Sequence, residues 1–526
     1  MIPIKILILT GQQSYQIIID ITKPIIIHQI SVEKVPISVS AFLTEKMTRE
    51  ILKKKNLLEF ELVLIPGFVQ WDTTNLENEL DIPIKKGPEF ASELPEILKF
   101  IDELELSNVV PANRLLTTTG ENAYLKFVRE RYEEAKDQIG THTFYLNKKK
   151  SDLMIGRNLP PPIIAEIVNC TEKSDQDILR KLKHYINSGA DIIDIGCVAN
   201  KSNPKRVNEI IDLIQSKSNV LISIDSMESS EIFAALDNGI DLILSLDLGN
   251  YEEFLEIDPT IPIVILPTII NEGYFPKDPK TRINNLFKLT KILQEKGFRK
   301  LIADPLLETP ISPGICNSLE AYFLYKKETS KPKNRNLELP MFFGISNVVE
   351  LMDVDSVGIN GLLASIAIEL DMGILFTVEH STKMMNGVAE LKRCTKLNYL
   401  AKQKSTPPIN QGIQIFKSKG KVSQPLPEID FDKAIYVKDI DSSYISDENG
   451  YFKLYVNHYN NEIYVLFYTN SHNLIHTLIG NNAEGLSKKI ISQNLTRNLE
   501  HLNYLGRELN KAEFCLKTGK PYIQDE

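Results

Sequence analysis

The sequence predicts an α/β chain: a central (β/α)8 TIM barrel flanked by a small N-terminal parallel α/β domain and a small C-terminal α+β domain. Three observations carry this. Eight short apolar runs recur between residues 160 and 403 and alternate with amphipathic stretches, the size and period of eight β/α units. Ahead of them, residues 1–146 repeat the pattern strand, glycine, helix. Behind them, residues 430–526 alternate apolar with polar positions and then turn helical.

The N-terminal elements are KILILTG (5–11), a helical stretch from Gln12, PISVSAF (36–42) and LVLIPG (62–67). TGQQS (10–14) reads as a plain βα turn; a lone glycine without GxGxxG spacing is weak support for an anion cradle at the helix N-terminus. NKKKSD (147–152) reads as a linker.

The barrel strands are placed at 162–169, 191–196, 221–226, 242–247, 262–268, 301–305, 341–346 and 374–379. Their runs are apolar with little alternation, as strands covered on both faces require. Acids recur at their ends: Asp225, Asp247 and Asp304, joined by Asn169 and the GISN turn, while Asp194 falls inside its strand and is expected to be buried. Chemistry in such a barrel gathers where the C-terminal ends of the strands converge, so these acids are expected to share one pocket.

Residues 404–430, rich in Pro, Gly, Ser and Lys, read as a linker with one short strand. GYFKLYVNHYNNEIYVLFY (450–468) has the alternation of a β-hairpin turning at Asn460–Asn461. Residues 485–519 read as one long helix on which His501, Tyr504, Arg507 and Glu508 share a face, either a salt-bridged docking face or a contact for a ligand or partner.

Bulk properties narrow the function. A net charge of −9 over 526 residues argues against a general nucleic-acid binder. No apolar run reaches the roughly 18–20 residues that span a bilayer, and MIPIKILILTGQQS reads as a first strand, not a signal peptide. The five scattered cysteines form no CxxC pair, which fits a reducing cytoplasm and offers no metal–thiolate site.

Several motifs then fall in order. They are EIVNCT (166–171), GADIIDIG (189–196), ISIDS (222–226), NGIDLILS (238–245), IADP (302–305), FGISN (343–347) and EHS (379–381). Over about 160–400 the chain resembles the pterin-binding superfamily shared by dihydropteroate synthases and methyltetrahydrofolate-type methyltransferases. The resemblance implies that Asp225 and Asp304 accept hydrogen bonds from the amino and ring N–H donors of a reduced pterin, with Asn347 and Ser245 beside them. In a synthase, Asn169 would bind Mg²⁺ and the departing diphosphate, Thr171 would contact substrate or phosphate, His380 would help hold the anion, and an arylamine would attack the pterin-methyl carbon. In a methyltransferase, Asn347 would support N5 as its methyl group leaves for a corrinoid on a partner protein.

The chain mixes the two patterns. The Arg-Lys that follows Gly-x-Ser in synthases is Asn347–Val348, an arginine two places before the synthase histidine is Val378, and the fourth-strand asparagine is Leu244 in an ungapped match. GCVANKSNPKRV (196–207) replaces the synthase loop, and its Lys201, Lys205 and Arg206 are either phosphate contacts for a modified substrate or a solvated basic loop. The implied functions are therefore a synthase-like transferase of folate or tetrahydromethanopterin metabolism, a tetrahydropterin-dependent methyltransferase, or a pterin-binding carrier or regulatory protein without turnover. The implied setting is cytoplasmic, with neither nucleic acid nor membrane as partner, and a homodimer is expected from the resemblance.

Overall fold

The computed structural model describes all but residues 1–2, 103, 410, 417–431, 433–434, 437–446 and 526. The chain forms two compact units, one built on Met1–Phe127 together with chain after Ser405, the other on Val128–Ser405 together with the C-terminal sheet.

In the first unit four parallel strands, Lys5–Thr10, Gln29–Lys34, Leu62–Ile65 and Ile84–Lys86, lie in the order second, first, third, fourth. The second strand is Gln29–Lys34, not the anticipated 36–42. Pro36 has no N–H to give a ladder, and the following segment is spent on the helix Gln12–Thr22. Its Ile37 and Ser38 carbonyls accept from the Gln12 and Gln13 N–H groups, and Ser40 Oγ accepts from the Gly11 N–H. The Gln12 and Gln13 donors of that helix N-terminus are thus satisfied internally, and TGQQS is a βα turn.

In the second unit eight parallel strands form the barrel: Ile163–Ile167, Ile192–Gly196, Leu221–Asp225, Leu242–Leu246, Ile263–Ile265, Leu301–Ala303, Phe342–Gly344 and Ile374–Val378. Seven ladders join them in the order 6-5-4-3-2-1-8-7, and a parallel bridge from Ala303 to Met341 links the sixth strand to the seventh. Each expected strand is present, shortened by one to four residues.

Successive residues of a strand face opposite sides. Ile164, Ile192, Leu221, Leu242, Val264, Ile302, Phe342 and Ile374 form the apolar base of the barrel interior, and Phe144, Leu146 and Ile155 pack into it from below. These three come from a small antiparallel hairpin, Phe144–Tyr145 with Met154–Ile155. The 147–152 segment is therefore the turn of a plug. Asn147 and Lys150 fasten it to Asp241, ahead of the fourth strand, at 2.6 and 3.1 Å.

The C-terminal sheet is antiparallel: Tyr451–Asn457 and Glu462–Tyr468, as the hairpin pattern predicts, and a third strand, Leu474–Gly480, that the pattern did not disclose. The helix expected over 485–519 is two, Ala483–Ser492 and Leu499–Thr518. Asn494 takes a left-handed conformation that ends the first, and Asn498 caps the second by accepting from the Glu500 and His501 N–H groups. On that second helix His501 pairs with Asp447 at 2.7 Å, and buried Glu508 accepts from the Tyr522 hydroxyl. The described part of 404–430 carries no strand; the rest lies outside the described residues. No described helix is long and apolar enough to cross a membrane.

Candidate functional site

Counting by twos from the apolar base reaches the chemistry. Glu166 follows Ile164, Asp194 follows Ile192, Asp304 follows Ile302, and Ser223 and then Asp225 follow Leu221, so all point into the barrel. The first three strands are neighbours, with Glu166 opposite Asp194, Asp194 opposite Ser223 and Gly196 opposite Asp225.

The result is a cluster of three carboxyls. One oxygen from each of Glu166, Asp194 and Asp225 lies within 4.8 Å of the other two. Gly196 makes this possible, because a Cβ there would stand 2.0 Å from Glu166 Oε1. Asp194 is fully buried; its Oδ1 accepts from the Ser223 hydroxyl at 2.6 Å, and its Oδ2 has no hydrogen-bond partner. Burial, then the Asp225 charge, pushes the Glu166 carboxyl up to about 8; burial and both neighbours raise Asp194. Asp225 opens to solvent at the strand tip, yet the surrounding barrel wall desolvates it and pushes it up to about 6. No lysine or arginine offsets any of the three.

Across the barrel, Asp304 is held by a different device. Its Oδ1 accepts from the Leu306 N–H and the Tyr322 hydroxyl, both at 2.8 Å. The Leu306 carbonyl is in turn gripped by Arg282, a fully buried guanidinium that also donates to the Pro276 and Pro305 carbonyls and pairs with Glu308. Leu306 sits at a φ of 75°, a left-handed backbone that leucine rarely adopts. Burial pushes Asp304 up to about 6, against the pull of its two donors and Arg282.

Comparison with known proteins bears on the family of the chain. A family model described as pterin binding enzyme matches residues 168–356, and one described as PterinBD-DUF4346 matches 446–525. An uncharacterized protein of Methanocaldococcus jannaschii is 32% identical over 99% of this chain and 98% of its own. The chain belongs to the pterin-binding family. A dihydropteroate synthase of Streptococcus pyogenes is 31% identical over 111 residues, 19% of this chain and 42% of that enzyme. Among solved structures, the dihydropteroate synthase of Yersinia pestis covers 48% of this chain and 97% of its own at 19% identity and a TM-score of 0.37; that of Vibrio fischeri covers 50% and 99% at 18% and 0.39.

The other residues singled out in the sequence surround the mouth of the pterin-binding barrel. Asn169 is exposed just past the first strand, in a left-handed conformation at a φ of 50°, with half-buried Thr171 in the turn that follows. Exposed His380 follows the eighth strand, which pairs with the first, and its backbone N–H donates to Glu350. Asn347 is exposed after the seventh strand and donates to the Leu307 carbonyl at 2.8 Å. Ser245 is half-buried at a register shift of the fourth strand, and its carbonyl accepts from the Asn250 side chain.

The basic loop is already engaged: Lys201 pairs with Glu172, Lys205 approaches Glu209 at 3.9 Å, and Arg206 holds Asp175 and the Lys173 carbonyl. Asp247 is no pocket acid. Its oxygens accept from Gly249, Asn250, Thr268 and Ile270, so it shapes its own loop.

Two residues escaped the sequence reading. Glu166 was visible by strand parity, two places beyond an inward isoleucine. Arg282 left no signal, since an arginine in an amphipathic helix reads as solvated.

The Asp304 shift has a measurable consequence. A carboxyl raised from its ordinary 3.8 to about 6 favours the fold most when protonated, so its contribution is complete below about pH 4 and is lost as pH rises through 6. In urea denaturation, the stability difference between Asp304→Asn and the parent should move toward the variant by on the order of 2 kcal/mol from about pH 4.5 to 7.5. A difference that stays flat would contradict the shift.

Proposed function

We propose that this chain is a pterin-dependent transferase that seats a reduced pterin in the barrel mouth and releases a one-carbon group from it. The observation that carries this is the pair of inward carboxyls, Asp225 and Asp304, at the C-terminal ends of the third and sixth strands, each able to accept from the donor-rich edge of the ring. Local charge favours an N5-methyl-tetrahydropterin as the donor. The mouth is rich in acids, and the nearby bases of the 201–206 loop are tied to acids of their own, a poor setting for an unescorted diphosphate. Asn347, exposed on the seventh-strand turn, spends one amide N–H on the Leu307 carbonyl and has a second to donate to the ring nitrogen that gains a lone pair as methyl departs. The acceptor in this reading is a corrinoid carried by a partner protein.

A second reading, condensation of a pterin-methyl diphosphate with an arylamine, draws support from Asn169 and His380 standing on the loops of adjacent strands. A single carboxamide oxygen fits Mg²⁺ only beside phosphate oxygens, because Mg²⁺ keeps several waters and takes few protein ligands in such sites. Mg²⁺ there would neutralise the diphosphate.

Calorimetric titration with an N5-methyl-tetrahydropterin and with 6-hydroxymethyl-dihydropterin diphosphate, each with and without Mg²⁺, separates the two. The methylated pterin should bind more tightly, indifferent to Mg²⁺, and Asn347→Ala should slow methyl release by on the order of 100-fold. Mg²⁺-dependent preference for the diphosphate would transfer the assignment to condensation; failure of both ligands to bind would remove the pterin reading.

A further inference from the structure

The acids at the base of the mouth pose a problem that the pterin reading leaves open. Asp225 and Asp304 suffice to meet a ring edge, yet Glu166 and Asp194 lie deeper, against Asp225, with no base among them. Like charges this close cannot all ionise without a compensating partner. Two features go beyond crowding. The second strand has glycine at 196, and the Glu166 carboxyl lies where a Cβ would be. Asp194 then presents a fully buried oxygen with no hydrogen-bond partner, in a class of atom that is nearly always satisfied.

The donor set is chemically uniform. It consists of three carboxylate oxygens with neither imidazole nor thiolate in the cluster, the preference of hard cations and not of zinc or copper. Ser223 fixes the orientation of Asp194 by donating to its other oxygen, as outer-shell partners of metal ligands do. Asp225, open to solvent, provides the way in.

We propose that Glu166, Asp194 and Asp225 bind one hard divalent cation, of the Mg²⁺ or Mn²⁺ class, at the base of the barrel mouth. The site is separate from Asn169 and needs no phosphate. Asp225 has two oxygens, so it can hold the cation with one and meet a ring donor with the other. The proposal stands whether or not the substrate is a pterin.

The test uses the full chain, stripped with EDTA and titrated with Mn²⁺ alone while free Mn²⁺ is followed by electron paramagnetic resonance. One Mn²⁺ should bind per chain and be displaced by Mg²⁺. Glu166→Gln and Asp194→Asn should each weaken binding by on the order of tenfold or more, since affinity follows the charge count of the ligands. Both substitutions relieve repulsion, and circular dichroism establishes that the variants fold. Asn169→Ala should bind as the parent does. The proposal is overturned by three results: no Mn²⁺ bound at millimolar concentration, in which case the acids are held by shared protons; binding that survives Glu166→Gln combined with Asp194→Asn; or binding lost in Asn169→Ala. Pterin titration in EDTA is read separately, so either idea can fail alone.

Discussion

Asp225→Asn is expected to remove measurable affinity for a reduced pterin, a loss on the order of 100-fold by calorimetry in EDTA. The substitution keeps the shape of the side chain and trades one acceptor oxygen for a donor. The ring edge presents donors, so a favourable pair becomes a donor facing a donor, and the surviving bond loses its charge assistance. Asp225 is exposed at the end of its strand, so the fold should tolerate the change and a lost affinity can be assigned to recognition. Affinity within about threefold of the parent would withdraw Asp225 from the site, and with it the observation on which the proposed function rests.

Arg282→Ala should lower stability by about 3–5 kcal/mol in urea denaturation, the range for stripping one partner from a buried ion pair. Its guanidinium satisfies three carbonyls and Glu308 with no solvent to replace it. The effect should extend to the site. Leu306 is held at both ends, its carbonyl by Arg282 and its N–H by Asp304, in a backbone conformation it does not prefer. Releasing one end frees the other, so pterin affinity should fall together with stability. Arg282→Lys keeps the charge but not the planar fork, and should recover only part of either. A loss below about 1 kcal/mol would mean that the loop after the sixth strand is held by something else.

The barrel was legible because parallel strands covered on both faces have to be written as unbroken apolar runs, and seven of the eight end near a polar residue that marks the tip. Asp225 and Asp304 could be read for that reason. Asp247 looked identical in sequence and differs only through the loop folded around it. Glu166 shows only through strand parity, two places beyond Ile164, beside the stronger signal of the Asn169 turn. Arg282 was hidden by rule: burial of a guanidinium is a tertiary decision that helical periodicity does not encode. The strand at Gln29–Lys34 is less apolar than the 36–42 segment, whose carbonyls cap the Gln12–Thr22 helix instead. The break near Asn494 depends on a single left-handed residue, which an asparagine in a helical pattern does not announce.

The apolar side chains that fill the base of the barrel, with the hairpin packed beneath them, make its mouth a well. Traffic through a well is last in, first out: a molecule resting on the acidic floor has to arrive before whatever sits above it and cannot leave until that occupant has gone. For a reaction between two substrates in this chain, the deeper one therefore binds first and its remnant departs last. Product inhibition patterns would record that sequence without any atom of the ligand being seen.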